Sequence, residues 1–181
     1  VLKLVDGKPS AIFDSAGLQQ FWSGRTINRG ENVADTKQYD EAKNVFGITG
    51  AAMMLRRSAL EQAKFEQEYF DEDFIAYKED VDLSWRLARL GYQIYYEPKA
   101  IAYHARTMQK HSLQRRQDTR RVIRIYSYRN HWWTLVKNLS LVEALKRTPW
   151  LIPYECAKLA FVLTREWSTL AAIPQCLKGL P

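Results

Sequence analysis

The segment YKEDVDLSWRLARLGYQIYYEPKAIAYH, residues 77–104, decides the fold class of this chain. Leucines at i, i+4 and i+7 form one apolar helix face, and Gly91 follows where a helix commonly ends. The β-rich runs YQIYY and KAIAYH then predict two short strands. Helical and strand segments alternate here and in the neighbouring residues, which predicts an α/β layered domain.

Three carboxylates stand at the start of the predicted helix. Asp82 lies four residues before Arg86, so we interpret it as a structural residue that pairs within the helix and meets its dipole. Asp80 follows Glu79 at a loop-to-helix junction, where a carboxylate either caps the helix or acts as a general base. His104 closes the segment, and a lone histidine at a strand end is either structural or a ligand.

Weaker signals precede this segment. The apolar run from Gly50 to Leu55 ends in two arginines and predicts a buried strand. Ser58 and Glu61 have the spacing of a capping box, which predicts a short helix beginning at Ser58. Residues 1–44 are rich in turn-forming residues and are predicted to form short strands within a long loop.

The net charge of +7 is unevenly placed. One acid, Asp118, opposes eight basic residues between positions 106 and 129. These are Arg106, Lys110, Arg115, Arg116, Arg120, Arg121, Arg124 and Arg129. Such a run indicates either a solvated helix face or a surface that binds phosphate, acidic lipid headgroups or nucleic acid.

The cysteines and the C-terminal residues bear on the cellular setting. Cys156 and Cys176 form no CxxC pair, which argues against a zinc site or a disulfide framework and suits a reducing cytoplasm.

From Leu141 onward, prolines, tryptophans, leucines and cations are interspersed, which predicts amphipathic helices at a membrane interface. Packing on the domain or on a partner is the alternative. We therefore divide the chain into residues 1–140 and a helical tail, residues 141–181.

In order along the chain, these motifs resemble the second half of the family 2 glycosyltransferases, and most closely the rhamnosyltransferase-like members that build cell-surface polysaccharide. The resemblance is carried by GAAMMLRR, Phe70-Asp71-Glu72, the acidic helix start from Tyr77 to Arg86, YQIYY, Pro98 to Ala100, and His104. FDSAGL near Phe13, the Arg29-Gly30 step and YSYRNHWWTLVKN add to it. The longer KFEQEY before Phe70 departs from the family pattern in one loop.

The resemblance implies the C-terminal half of a GT-A domain, Rossmann-like with a mixed sheet, followed by amphipathic helices. It implies inverting transfer of a sugar from a nucleotide-diphosphate donor to a hydroxyl of a glycan or lipid-linked acceptor. Asp80 matches the family's catalytic base, and His104 matches a histidine that helps to hold a divalent metal, Mg²⁺ or Mn²⁺. Glu79 and Arg129 are expected to bind substrate.

The family's donor-binding half carries an Asp-x-Asp-type metal motif that no residue here matches. We therefore expect a fragment whose donor-binding residues lie elsewhere and which is inactive by itself. The expected location is cytoplasmic, peripheral on the inner face of the cytoplasmic membrane, with an anionic membrane as partner and no nucleic acid. The alternative is a non-catalytic basic module that binds nucleic acid or an anionic membrane. That alternative does not explain the ordered motifs of residues 50–104.

Overall fold

A computed structural model describes residues 1–105 and 113–178, without the side chains of residues 113–120. It contains two compact units, which are described separately. Unit 1 comprises Val1–Gln20, Thr26–Phe70 and Asp80–Lys110, and unit 2 comprises Phe21–Arg25, Asp71–Glu79 and His111–Pro181. Short strands and helices are both present, so the predicted mixed α/β class is confirmed.

Short strands pair within unit 1. Their bounds are β1 Leu2–Val5, β2 Lys8–Phe13, β3 Leu18–Gln20, β4 Thr26–Asn28, β5 Lys43–Val45, β6 Ile94–Tyr96 and β7 Tyr103–His104. In the described residues, β1 lies between antiparallel β2 and parallel β7 in a mixed sheet. Antiparallel pairs join β3 to β4 and β5 to β6. The strands predicted from YQIYY and KAIAYH are confirmed as β6 and β7, and β7 brings His104 beside Lys3 of β1.

The predicted helix of unit 1 is α2, residues Glu79–Arg89, and it follows the shorter α1, residues Arg57–Gln62. Gly91 has a φ of +85°, and the Tyr92 amide donates to the Leu87 carbonyl at 3.1 Å, as expected for a glycine-terminated helix. Leu83 and Leu87 are buried in the core with Ala59, Ala63 and Ile94. Leu90 is exposed because it lies beyond the last helical residue, so the apolar face is one turn shorter than predicted.

The prediction of a buried strand from Gly50 to Leu55 is wrong. This segment is a turn followed by irregular chain, and the Met54 side chain is 94% exposed. A buried strand needs a neighbouring strand whose backbone pairs with its N–H and C=O groups. Instead, the Gly50 amide donates to the Asp80 carboxylate at 3.0 Å.

The capping box predicted at Ser58 is also wrong, although the helix is present. Arg56 is the N-cap of α1 and makes no side-chain cap bond. Glu61 binds Lys64 at 2.7 Å and the Tyr69 hydroxyl at 2.5 Å. Its carboxylate is therefore engaged at the other end of this short helix.

Unit 2 is helical in its described residues. Its elements are a 3₁₀ turn at Glu72–Phe74, α3 at Leu113–Asn138, α4 at Leu141–Arg165, a 3₁₀ turn at Trp167–Ala171 and α5 at Ala172–Lys178. The tail helices predicted from Leu141 onward are confirmed. Ser140 and Glu143 close a capping box on α4, with the Glu143 amide 3.2 Å from Ser140 Oγ.

The C-terminal helices pack on α3. Trp133 Nε1 donates to the Cys176 carbonyl at 3.1 Å, and His131 Nε2 lies 2.6 Å from Glu155 Oε1. Lys158 Nζ lies 2.8 Å from the other Glu155 oxygen. Burial lowers the pKa of His131, so a neutral imidazole donates to a carboxylate whose charge Lys158 balances. Packing within the protein thus occurs for part of the tail, and the boundary at residue 140 stays a prediction.

The basic run is only partly described. Arg106 and Lys110 lie outside the described residues, as do the side chains of Arg115, Arg116, Asp118 and Arg120. Arg121 is exposed. Arg124 donates to Ser168 Oγ at 3.1 Å and Arg129 is buried, so at least two cations of the run are directed into unit 2.

Candidate active site

In unit 1, Asp80 lies in the first turn of α2. Its Oδ2 accepts from the Gly50 amide at 3.0 Å, and its Oδ1 accepts from the Val81 amide at 2.8 Å. Ser84, one turn later on the same face, has its Oγ 3.4 Å from the Ile48 amide. A Cβ on Gly47 would lie 2.5 Å from that Oγ. The loop of residues 47–50 therefore lies directly against the helix face that carries Asp80, and glycine permits the close approach.

Asp82 has the structural role that the sequence predicts. It is fully buried, and its Oδ2 accepts from Arg86 Nε at 2.8 Å. The rest of the guanidinium donates to two carbonyls, Tyr69 O at 2.9 Å and Ala63 O. The pair thus joins α2 to the end of α1 and to the segment that ends near residue 70.

His104 has a buried partner that the sequence did not identify. Its Nδ1 lies 2.9 Å from Oδ2 of Asp14, which is 2% exposed. Because a carboxylate only accepts, Nδ1 carries a proton toward Asp14, and Nε2 is the ring nitrogen that Asp14 does not engage. Lys3 Nζ lies 4.0 Å from the other Asp14 oxygen. Asp14 belongs to the FDSAGL motif, so its place in that motif was the available signal.

This geometry fits His104 as one metal ligand. Metal-bound histidines commonly donate their second ring nitrogen to a carboxylate, as His104 does to Asp14. The imidazole is 38% exposed, so it can be reached from solvent. Within residues 1–105 and 113–178, no group of three His, Cys, Asp or Glu side chains that could hold a metal is found. The described residues would therefore supply fewer than three such ligands here.

Glu79 and Arg129 belong to unit 2. Glu79 is the partly buried first residue of α2. Arg129 is buried, donates through Nη2 to the Asp73 carbonyl at 2.7 Å, and stacks 4.0 Å from the centre of the Trp133 ring. Burial lowers the pKa of this guanidinium from its ordinary value. These contacts hold a loop, and direct contact of either residue with substrate stays a prediction.

Two of the predicted site residues, Asp80 and His104, have different neighbours within unit 1. Asp80 contacts the 47–50 loop, and His104 contacts Asp14. The sequence also assigned no role to Asn130, which is fully buried beside Arg129. Its only sequence signal was membership of the YSYRNHWWTLVKN motif.

A family model described as "Glycosyl transferase family group 2" matches residues 22–177. These residues include all four predicted site residues, but not β1, β2 or Asp14. The match does not distinguish a rhamnosyltransferase-like subfamily. No curated protein matches the chain, and no solved structure matches it.

The buried Asp82–Arg86 pair gives a stability prediction. Asp82→Asn leaves a guanidinium that is only 12% exposed without its counter-charge, and we expect a loss of about 3 kcal/mol in the free energy of unfolding. An isolated surface pair would cost less than about 1 kcal/mol. Chemical denaturation measures the difference, with the exposed Asp40→Asn as control at about 0.5 kcal/mol or less. Equal losses in the two variants would contradict this prediction.

Proposed function

Because the chain belongs to glycosyl transferase family group 2, we propose that it provides the acceptor-side half of an inverting transferase that serves cell-surface polysaccharide synthesis. The family implies a nucleotide-sugar donor and an acceptor. The mixed α/β architecture fits a fragment of a GT-A-type domain. The family match also favours an enzyme over a non-catalytic basic module.

The observation that carries the proposal is the position of Asp80. It matches the family's base, lies in the first turn of α2, and has its carboxylate oriented by the Gly50 and Val81 amides. In the proposed reaction this carboxylate takes the proton of the acceptor hydroxyl. The acceptor oxygen then bonds to the anomeric carbon from the face opposite the diphosphate. The bond to the diphosphate oxygen breaks, which inverts the configuration.

We further propose that His104 helps to hold a divalent cation, Mg²⁺ or Mn²⁺. When bound, such a cation offsets the charge that builds on the diphosphate leaving group. Asp14 orients the imidazole so that Nε2 is the free ligand atom. The donor's nucleotide requires further residues, which we expect in a donor-binding half, so residues 1–181 alone are expected to show no turnover.

An apolar cavity in unit 2 supports a lipid-linked acceptor. Its volume is about 300 Å³, and Tyr128, Trp132 and Leu159 are among its lining residues. A hydrocarbon chain suits such a lining better than a free glycan does, because burying apolar surface stabilises the complex.

The exposed face of α4 supports peripheral attachment to the inner face of the cytoplasmic membrane. An apolar stripe runs along one side of the helix and consists of Leu141, Leu145, Ile152, Leu159 and Leu163. Trp150 is also exposed and packs 5.3 Å from Trp22, over which Arg147 stacks. Apolar residues with tryptophan and cations suit a helix that lies in the headgroup region. None of the described helices is long and apolar enough to cross a bilayer.

The assignment of the base is tested in the complete protein that includes the donor-binding half. Asp80→Asn keeps the size of the side chain but removes the proton acceptor. Turnover should fall by roughly two to four orders of magnitude, with little change in donor binding. Asp6→Asn, in an exposed turn, is the matched control. Normal turnover of a folded Asp80→Asn enzyme would exclude Asp80 as the base.

The metal assignment is tested by titrating Mn²⁺ against turnover and against binding to the protein without substrates. His104→Ala should raise the half-saturating concentration by about tenfold or more, because a ligand is lost. Tyr103→Phe, in the same strand, serves as control. If the titration of a folded His104→Ala protein is unchanged, the histidine has a structural role only.

Membrane attachment is tested by flotation with liposomes that contain anionic lipid. Replacing Leu141 and Leu145 by glutamate removes two exposed apolar side chains, and the bound fraction should fall about tenfold or more. Binding of the unmodified chain should weaken with salt. Leu90→Glu, at an exposed position of unit 1, is the control. Equal flotation of all three proteins would show that α4 is not the anchor.

A further inference from the structure

The segment that leads into α2 has a backbone that its own residue types disfavour. Ile75 has φ +60° and ψ −54°, and the Ala76 amide lies 2.6 Å from the Phe74 carbonyl. This is the rarer, strained form of the γ-turn. Tyr77 and Lys78 follow with φ of +71° and +73°. That left-handed region suits glycine, and it is costly for a β-branched residue such as isoleucine.

Side chains of α3 hold this backbone by its carbonyl groups. Nδ2 of the fully buried Asn130 lies 2.8 Å from Phe74 O, 2.8 Å from Ala76 O and 2.7 Å from Tyr77 O. Carbonyls only accept, so the amide must present its NH₂ group to the loop. Asn130 Oδ1 accepts from Arg129 Nε at 2.9 Å, which fixes the same orientation.

The same face of α3 holds the beginning of the loop. Arg129 Nη2 donates to the Asp73 carbonyl at 2.7 Å and to the Phe74 carbonyl at 3.2 Å. The Phe74 ring lies 6.0 Å from the ring of Trp133, and Lys137 Nζ bonds Asp71 Oδ2. Positions 129, 133 and 137 follow one another at single helical turns, so one face contacts the loop from residue 71 to residue 77.

We propose that Asn130, supported by Arg129, is a positioning residue of the transferase. It holds residues 74–78 in a strained conformation, and Glu79 and Asp80 follow this loop directly at the start of α2. The proposal rests on the proposed function, in which Asp80 is the base. Strained conformations persist only where surrounding contacts over-determine them, and they cluster at functional sites. Asn130 acts through the backbone of the loop and is not a catalytic residue.

The chain offers a matched control for this role. Asn138 is buried on the same helix, but its Nδ2 donates to the Thr134 carbonyl of α3 itself at 3.0 Å. Asn138→Ala therefore reports the general effect of truncating a buried asparagine of α3. Asn130→Ala in addition removes the NH₂ group that lies within hydrogen-bond distance of three carbonyls of the loop.

The first measurement is amide hydrogen exchange of the chain without substrates. Asn130→Ala should speed the exchange of residues 74–80 by about tenfold or more, and Asn138→Ala should leave that segment nearly unchanged. Ile75→Gly lowers the strain of the γ-turn, so adding it to Asn130→Ala should restore much of the protection. If Asn130 only filled the core, the glycine would loosen the segment further. Unchanged exchange in Asn130→Ala would overturn the proposal.

The second measurement is steady-state turnover of the complete protein. Asn130→Ala should lower kcat by about tenfold to a hundredfold, because small displacements of a reacting group are costly, while the donor KM stays within about twofold. Adding Ile75→Gly to Asn130→Ala should recover part of the lost kcat. Faster exchange with an unchanged kcat would also overturn the positioning role. A protein without transferase activity would instead refute the proposed function and leave the exchange result standing.

Discussion

A carboxylate that is shut off from water must be paired with a cation or with several N–H donors. Asp82 meets that requirement with Arg86, and the remaining donors of Arg86 bind the carbonyls of Ala63 and Tyr69. Two residues along an α-helix correspond to a rotation of about 200°. Burying Asp82 therefore turns Asp80 to the opposite side of α2, where the Gly50 amide orients its carboxylate. The ion pair therefore fixes which of the two acids is buried and which lies against the 47–50 loop.

The sequence predicted those features that depend on residues close together in the chain. The Asp82–Arg86 pair, the glycine at the end of α2 and strand β6 follow from helical spacing, turn chemistry and strand propensity. The buried strand at Gly50–Leu55 was wrong because apolar composition does not reveal whether a ladder partner is present. The capping box at Ser58 was wrong because Glu61 has competing partners in Lys64 and Tyr69.

The contacts that could not be predicted are hydrogen bonds between a polar side chain and a group that is distant from it in the sequence. Asp14 and His104 are 90 residues apart, and Asn130 binds carbonyls 53 to 56 residues before it. A single sequence shows the residue types that form such contacts, but it does not show which distant residues contact each other. Arg129 illustrates the consequence. Its place in a basic run gave no sign that it binds the Asp73 carbonyl and stacks on Trp133.

Helices α3 and α4 use their side chains in opposite ways. Polar residues of α3, such as Asn130 and Arg129, are buried, whereas α4 exposes an apolar stripe that begins at Leu141. Burying a half-exposed leucine or isoleucine contributes about 1 kcal/mol, so the stripe as a whole would contribute on the order of 5 kcal/mol. That is similar to a single myristoyl chain, whose membrane association constant is about 10⁴ M⁻¹ and whose binding is reversible. Durable attachment would need a second contribution, which exposed cations such as Lys146 could make on an anionic surface.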